Sequence, residues 1–90
     1  MAGGMVMQKK TVVIADVIKK YENPIGELVQ VACQFKSDIN LLSGSRKINA
    51  KSIMGIMAIS PCKGMELDIE TSGNDEVAAL DAMSHFLQCI

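Results

Sequence analysis

Four short strand-forming segments alternate with three helix-forming segments along this chain of 90 residues, and this alternation leaves few folds open to it. β-Branched residues, or an alternation of apolar and acidic residues, mark the strands. We predict strands at residues 10–16, 39–42, 46–49 and 65–71. The last of these reads MELDIET, a pattern that is typical of a strand with one buried face.

Each helix-forming segment begins at a residue that favours a helix N-terminus. Asn23, which precedes a proline, is predicted to cap a first helix that ends at residues 36–38. Ser52 is predicted to cap a second, short helix that runs to about residue 59, and Asn74 to cap the last helix. The apolar faces of the first and last helices would consist of Ile25, Leu28, Ala32 and Phe35, and of Val77, Leu80, Met83 and Leu87.

Amphipathic helices combined with alternating strands predict a two-layer α+β fold. The helices would cover one face of a mostly antiparallel sheet of four strands, in the order β-α-β-β-α-β-α. The segment 16–22, between the first strand and the first helix, is predicted to be a loop. The length suits a single domain, which we assign to residues 8–90, whereas residues 1–7 are expected to be disordered or vector-derived.

The composition argues against several classes of function. The formal net charge is −1 and the chain has one tyrosine and two phenylalanines, whereas nucleic-acid-binding domains usually show a basic surface and stacking aromatics. No signal-peptide pattern and no apolar run of roughly 18 residues is present, so no membrane segment is expected. Because His85 is the single histidine and the three cysteines are widely spaced, we expect neither a zinc site nor a cofactor, and reduced thiols in a cytoplasmic protein.

The segment from Asn49 to Met57, NAKSIMGIM, gives the strongest indication of function. Ser52 stands at the start of a predicted helix, where the helix dipole favours negative charge, so a phosphate on its hydroxyl would be electrostatically favourable. A plain N-cap role, which stabilises a helix by about 1 kcal/mol relative to alanine, is the alternative interpretation. The two interpretations are compatible, since a capping serine can take a phosphate without breaking the helix.

This segment closely resembles the regulatory-serine motif of the HPr family, the histidine-containing phosphocarrier proteins of the bacterial sugar phosphotransferase system. Weaker matches follow the family's order from about residue 8 onward, and the order of predicted elements is that of HPr. They comprise LVQ at 28–30, Ala32, SDINL at 37–41, KG at 63–64 and SGNDE at 72–76. The resemblance implies an open-faced sandwich with the strand order 1-4-2-3.

The same resemblance shows that the active histidine is missing. HPr proteins carry His-x-Arg-Pro just before the first helix, and the histidine passes phosphate from phosphoenolpyruvate towards sugar transporters. This chain has Tyr21 in place of the histidine and Asn23 in place of the arginine. A tyrosine with an unperturbed pKa of about 10 is a poor nucleophile at neutral pH, and asparagine supplies no cation for phosphate oxygens. The resemblance therefore predicts that phosphocarrier chemistry is lost and that the chain has no catalytic residue.

The resemblance also implies that HPr kinase/phosphorylase phosphorylates Ser52 and that a catabolite-control-type transcription regulator docks beside it. The docking surface would consist of Lys51, Ile53, Met54 and Met57. Ile56 is expected to point into the core. A close relative of HPr, the catabolite-repression protein Crh, also lacks the histidine and keeps the serine. The leading hypothesis is therefore a non-catalytic regulatory protein that resembles Crh.

Two other hypotheses remain open at this point. The chain could be a phosphocarrier that uses an unexpected residue, either Tyr21 or His85, although the resemblance places His85 on the far side of the molecule from Tyr21. It could also be a purely structural or binding module in which Ser52 is only a cap. A monomer and a dimer formed by exchange of the first strand are both compatible with the sequence, because an edge strand is a template for pairing.

Overall fold

The sheet is built around β4 (Glu66–Ser72), which pairs on one side with β1 (Met7–Val13) and on the other with β2 (Asp38–Ser43). β3 (Arg46–Asn49) forms a hairpin with β2, and all three pairings are antiparallel. The strand order is therefore β1-β4-β2-β3, which confirms the predicted order and fold class. The computed structural model describes residues 7–89.

Within residues 7–89 the chain forms four helices: α1 (Val17–Lys20), α2 (Pro24–Cys33), α3 (Ile53–Ile59) and α4 (Glu76–Gln88). α4 packs on β1 and β4, and α2 contacts both α4 and α3. The buried core lies between this helical layer and one face of the sheet. Its largest fully buried side chains include Ile14, Leu28, Ile39, Leu41, Ile56, Ile69, Met83 and Leu87. Among residues 7–89, no helix is long and apolar enough to cross a membrane.

The first strand and the segment after it differ from the prediction. β1 covers Met7–Val13 rather than 10–16, since the backbone N–H of Ala15 turns to donate to the carbonyl of Leu87 at 2.8 Å. The predicted loop contains α1, a single turn that is too short to show helical periodicity. Met7 belongs to β1, whereas residues 1–6 lie outside the described part of the chain, so for those six residues the expectation stays a prediction.

The carboxylate of Asp75 joins the start of α4 to the segment before β2. It accepts hydrogen bonds from the backbone N–H groups of Lys36 and Ser37, each at 2.9 Å, and from the Ser37 hydroxyl. Because these N–H groups are directed to Asp75, α2 ends at Cys33 and not at residues 36–38. Asp75, rather than the predicted Asn74, is the N-cap residue of α4.

The apolar face of α4 is also rotated from the predicted one. Val77 is 58% exposed, whereas Ala79, Met83 and Leu87 are completely buried. These three residues recur every four positions and form one row along the helix. Ala79 contributes little hydrophobicity, so the sequence pattern favoured the larger Val77 at the start of the helix.

Stability at acid pH provides a test of the Asp75 hydrogen bonds. The Ser37 hydroxyl, followed by the backbone N–H of Lys36, lowers the pKa of Asp75 from 3.8 to about 2. A carboxylate whose pKa is depressed by folding stabilises the fold above its unfolded pKa, and this contribution is lost as the pH falls through the folded pKa. We therefore expect the free energy of unfolding to fall between pH 3.8 and about 2.

Urea denaturation at several pH values measures this effect. Asp75→Asn should flatten the pH dependence in that interval, whereas Asp81→Asn, which removes an exposed carboxylate from the same helix, serves as the charge-matched control. An equal pH dependence in wild type and Asp75→Asn would contradict the assignment.

Candidate functional site

Tyr21, which occupies the predicted position of the histidine, is fixed in place by the last helix. It follows α1 directly in an extended conformation. Its ring stacks on that of Phe86, with ring centroids 4.1 Å apart and the planes inclined by 5°. Its hydroxyl donates a hydrogen bond to the carbonyl oxygen of Phe86 at 3.0 Å. Both the ring and the hydroxyl of Tyr21 are therefore engaged within the protein.

The ionisation of Tyr21 is also disfavoured. Burial, followed by the neighbouring Cys89 thiol and the Glu27 carboxylate, raises the pKa of Tyr21. A nucleophilic tyrosine needs the opposite shift or an adjacent general base. Its hydroxyl donates to the Phe86 carbonyl, which cannot take up a proton at neutral pH, and lies beside the Cys89 thiol, whose hydrogen bond also raises the pKa of Tyr21. Tyr21 therefore packs against the end of α4, and its hydroxyl is held in the protonated form.

The start of α2 is closed by its own side chains. Oδ1 of Asn23 accepts from the backbone N–H of Gly26 at 3.3 Å, and Oε2 of Glu27 accepts from the backbone N–H of Asn23 at 3.0 Å. Pro24 has no N–H to offer. A helix start binds an anion through free N–H groups, and here a carboxylate already occupies that place. This end of α2 is thus poorly suited to hold a phosphate.

His85 lies closer to Tyr21 than predicted. It is exposed in the last turn of α4 and directly precedes Phe86, on which Tyr21 stacks. The expectation that it lies on the far side of the molecule from Tyr21 is wrong, because the C-terminal end of α4 packs against the Tyr21 segment. No hydrogen bond joins the His85 side chain to another of the described residues.

Ser52 has the predicted position at the start of α3. Its backbone is extended, with φ −106° and ψ 116°, and its Oγ accepts a hydrogen bond from the backbone N–H of Gly55 at 3.2 Å. This confirms its N-cap role. Because Oγ acts here as an acceptor, its own O–H bond is not used in this interaction, and the residue is only half-buried.

Next to Ser52, three large apolar side chains face solvent. Ile53, Met54 and Met57 are 50%, 81% and 56% exposed, and we refer to these three residues as the α3 patch. Ile56, on the opposite side of the helix, is fully buried, as predicted. An apolar group of this kind on a short surface helix is typical of a contact surface, and methionine adapts readily to different partners.

Lys51 has a different environment from the one predicted. Its Nζ donates to the carbonyl oxygen of Phe35 at 2.8 Å, and its backbone N–H donates to Oδ1 of Asn49 at 2.8 Å. The ammonium group therefore connects the start of α3 to the chain just after α2. It lies beside the α3 patch but is held by an internal contact, which no pattern in the sequence indicates.

The two candidate sites lie at opposite ends of α2. The contact between Lys51 and Phe35 brings Ser52 to the C-terminal end of α2, whereas Tyr21 precedes its N-terminal end. A helix of ten residues is about 15 Å long. The two sites are therefore separate surfaces. Among residues 7–89, no cluster of three or more His, Cys, Asp or Glu residues could hold a metal ion.

Known proteins are similar to this chain in sequence and in fold. The family described as "PTS HPr component phosphorylation site" matches residues 8–88. The phosphocarrier protein HPr of Treponema pallidum is 40% identical over 82 residues, which cover 91% of this chain and 93% of that protein.

Two solved structures are also similar. HPr from Bacillus anthracis has a TM-score of 0.84 at 33% identity, and the match covers 92% of this chain and 99% of that one. Crh, the catabolite-repression protein of Bacillus subtilis, was crystallised as a dimer with a swapping domain. It has a TM-score of 0.68 at 32% identity, and the match covers 84% of this chain and 83% of that one.

Proposed function

Because this chain belongs to the HPr family of the phosphotransferase system, we propose that it is a non-catalytic regulatory member controlled by phosphorylation of Ser52. Proteins of this family are not themselves enzymes. The observation that carries the proposal is a contrast between the two ends of α2. The Tyr21 end is blocked by internal contacts, whereas Ser52 borders an exposed apolar patch.

Phosphorylation would change the surface beside the α3 patch. A phosphoserine carries about −1.5 to −2 charges at pH 7 and three strong acceptor oxygens. Placed at Ser52, these oxygens would adjoin Ile53 and Met54, so one small area would combine negative charge with exposed apolar side chains. A partner that binds this surface needs a positively charged side chain for the phosphate and an apolar side chain for the α3 patch.

The proposed partners follow from the family. HPr kinase/phosphorylase would add the phosphate, and a catabolite-control-type transcription regulator would bind the modified protein. Because these partners act in the cytoplasm, the chain would be cytoplasmic as well. By resemblance, Asn23 stands where HPr proteins carry an arginine that also contacts the regulator, so that cation would be missing at the other end of α2. Binding by the regulator would therefore depend mainly on phosphorylated Ser52 and the α3 patch.

A mutation in the α3 patch tests the proposed docking surface. Met54→Gln removes the most exposed apolar contact and keeps the length of the side chain, so we expect the Kd of the Ser52-phosphorylated protein for the regulator to rise about tenfold. Val77→Thr, at an exposed apolar position on α4, should leave the Kd unchanged. Isothermal titration calorimetry measures both, and equal affinities of Met54→Gln and wild type would rule out the patch as the contact.

Phosphocarrier activity is the second candidate function, and the names of the related HPr proteins favour it. The packing of Tyr21 argues against that residue, which leaves exposed His85 as the acceptor to test. Incubation with the first enzyme of the phosphotransferase system and labelled phosphoenolpyruvate distinguishes the two functions. We expect no transferable label, whereas label that disappears in His85→Ala would establish a carrier.

We further propose that residues 8–90 act as one domain that can dimerise through β1. This strand lies at the edge of the sheet and pairs only with β4 among the described strands. Unpaired backbone groups at a sheet edge favour strand exchange, and the Crh structure is a dimer with a swapping domain. Light scattering at increasing concentration separates a monomer from such a dimer.

A further inference from the structure

A cavity of about 380 Å³ lies where α1, the start of α2, the chain after α3 and the end of α4 meet. Its floor is part of the hydrophobic core. Val17, Leu28 and Leu87, which line it, are at most 2% exposed. Ile18, which is 65% exposed, stands at its rim. Since Val17, Leu28 and Leu87 are packed in the core, the floor of the cavity is preformed.

The end of α4 forms one wall of the cavity, and Tyr21 holds it in place. Phe86 lines the cavity, and its ring and carbonyl are held by Tyr21. The residue that replaces the family's histidine therefore also fixes part of this wall.

The lining indicates the charge of a suitable ligand. Among residues 7–89, no charged side chain lines the cavity, and the polar side chains that line it are those of Ser60 and Cys62. The Ser60 hydroxyl already donates to the carbonyl oxygen of Met57 at 3.1 Å, and a thiol is only a weak donor. A charged ligand would lose its hydration without gaining a partner, so the cavity favours an uncharged molecule.

The volume indicates the size of the ligand. An apolar protein cavity of about 150 Å³ is large enough to bind benzene. The present cavity has more than twice that volume and falls within the range of about 300–1,000 Å³ that is usual for small-molecule sites. A single anchoring side chain of a partner protein would leave much of it unfilled, whereas a molecule with two aromatic rings would not.

We propose that this cavity binds a neutral, apolar small molecule of about two aromatic rings. The proposal does not depend on phosphorylation of Ser52, since the cavity is formed by other residues. Burial of the ligand against the floor and the Phe86 ring would provide the binding free energy.

Phenylnaphthylamine, a neutral dye with fused rings whose fluorescence increases in apolar surroundings, tests the proposal on the full reduced chain. We expect a saturable increase with one dye per protein. Ile18→Glu at the rim should raise the Kd about tenfold. Val77→Glu, which is similarly exposed but lies at the start of α4, should leave it unchanged. Both positions are exposed, so neither variant should unfold.

Alkylation of the cysteines locates the dye independently. Cys62 lines the cavity and is exposed, and Cys33 is also exposed but lies at the end of α2, outside the cavity. Bound dye should slow the reaction of iodoacetamide with Cys62 and leave that with Cys33 unchanged, as read by peptide mass spectrometry. The absence of saturable binding, equal protection of both cysteines, or wild-type affinity in Ile18→Glu would overturn the proposal.

Discussion

Replacing Ser52 with alanine is expected to abolish phosphorylation of this protein by HPr kinase/phosphorylase. The hydroxyl at the start of α3 accepts a hydrogen bond from Gly55 and retains its own O–H for the reaction. It lies beside the exposed α3 patch, which provides an apolar surface that a kinase can contact. Intact-mass measurement after incubation with the kinase and ATP should show one added phosphate in the wild type and none in Ser52→Ala.

The control for this experiment lies at the other end of the same helix. Ser60 is exposed and caps the C-terminus of α3, so Ser60→Ala should be phosphorylated like the wild type. Loss of the Ser52 cap costs about 1 kcal/mol, which leaves the variant folded and makes the loss of phosphate interpretable. Phosphate that persists in Ser52→Ala would contradict the assignment of this serine.

Replacing Gly73 with alanine is expected to lower the free energy of unfolding by about 3 kcal/mol or more. Gly73 has φ +149°, which side chains rarely adopt, and an added Cβ would lie 2.7 Å from the backbone Cα of Ser37. The backbone of Ser37 cannot move away without disturbing its hydrogen bonds to Asp75. The substitution should therefore strain both the turn and the junction between β2 and α4.

Gly44→Ala is the matched control, because Gly44 also has a positive φ, +61°, but an added Cβ there would meet no atom within 4 Å. It should cost only about 1 kcal/mol, the conformational penalty alone. Chemical denaturation measures both variants, and equal losses of stability would show that the close approach to Ser37 is unimportant.

The parts of the fold that depend on local patterns could be predicted from the sequence. The alternation in MELDIET predicted β4 within one residue, and the cap at Ser52 predicted α3. Strand order followed from the resemblance to HPr and is confirmed. These features depend on neighbours in sequence or on a motif shared by a family, so one chain contains enough information to predict them.

Features that depend on distant contacts could not be predicted. α1 is too short for a periodic pattern. The Asp75 carboxylate, which accepts hydrogen bonds just after the end of α2, is separated in sequence from its partners Ser37 and Lys36 by 38 and 39 positions. The stacking of Tyr21 on Phe86 joins residues 65 positions apart, and no spacing in the sequence indicates it. The sequence therefore predicted that Tyr21 replaces the histidine, whereas only the structure shows how Tyr21 packs.

Phosphorylation of the wild-type protein in two parallel reactions tests the central claim most directly. One reaction contains HPr kinase/phosphorylase and ATP, and the other contains the first phosphotransferase enzyme and phosphoenolpyruvate. Intact mass followed by peptide mapping should show a phosphate on Ser52 in the first reaction and none in the second. Acid-labile phosphate in the second reaction, or an unmodified Ser52 in the first, would contradict a regulatory protein without carrier activity.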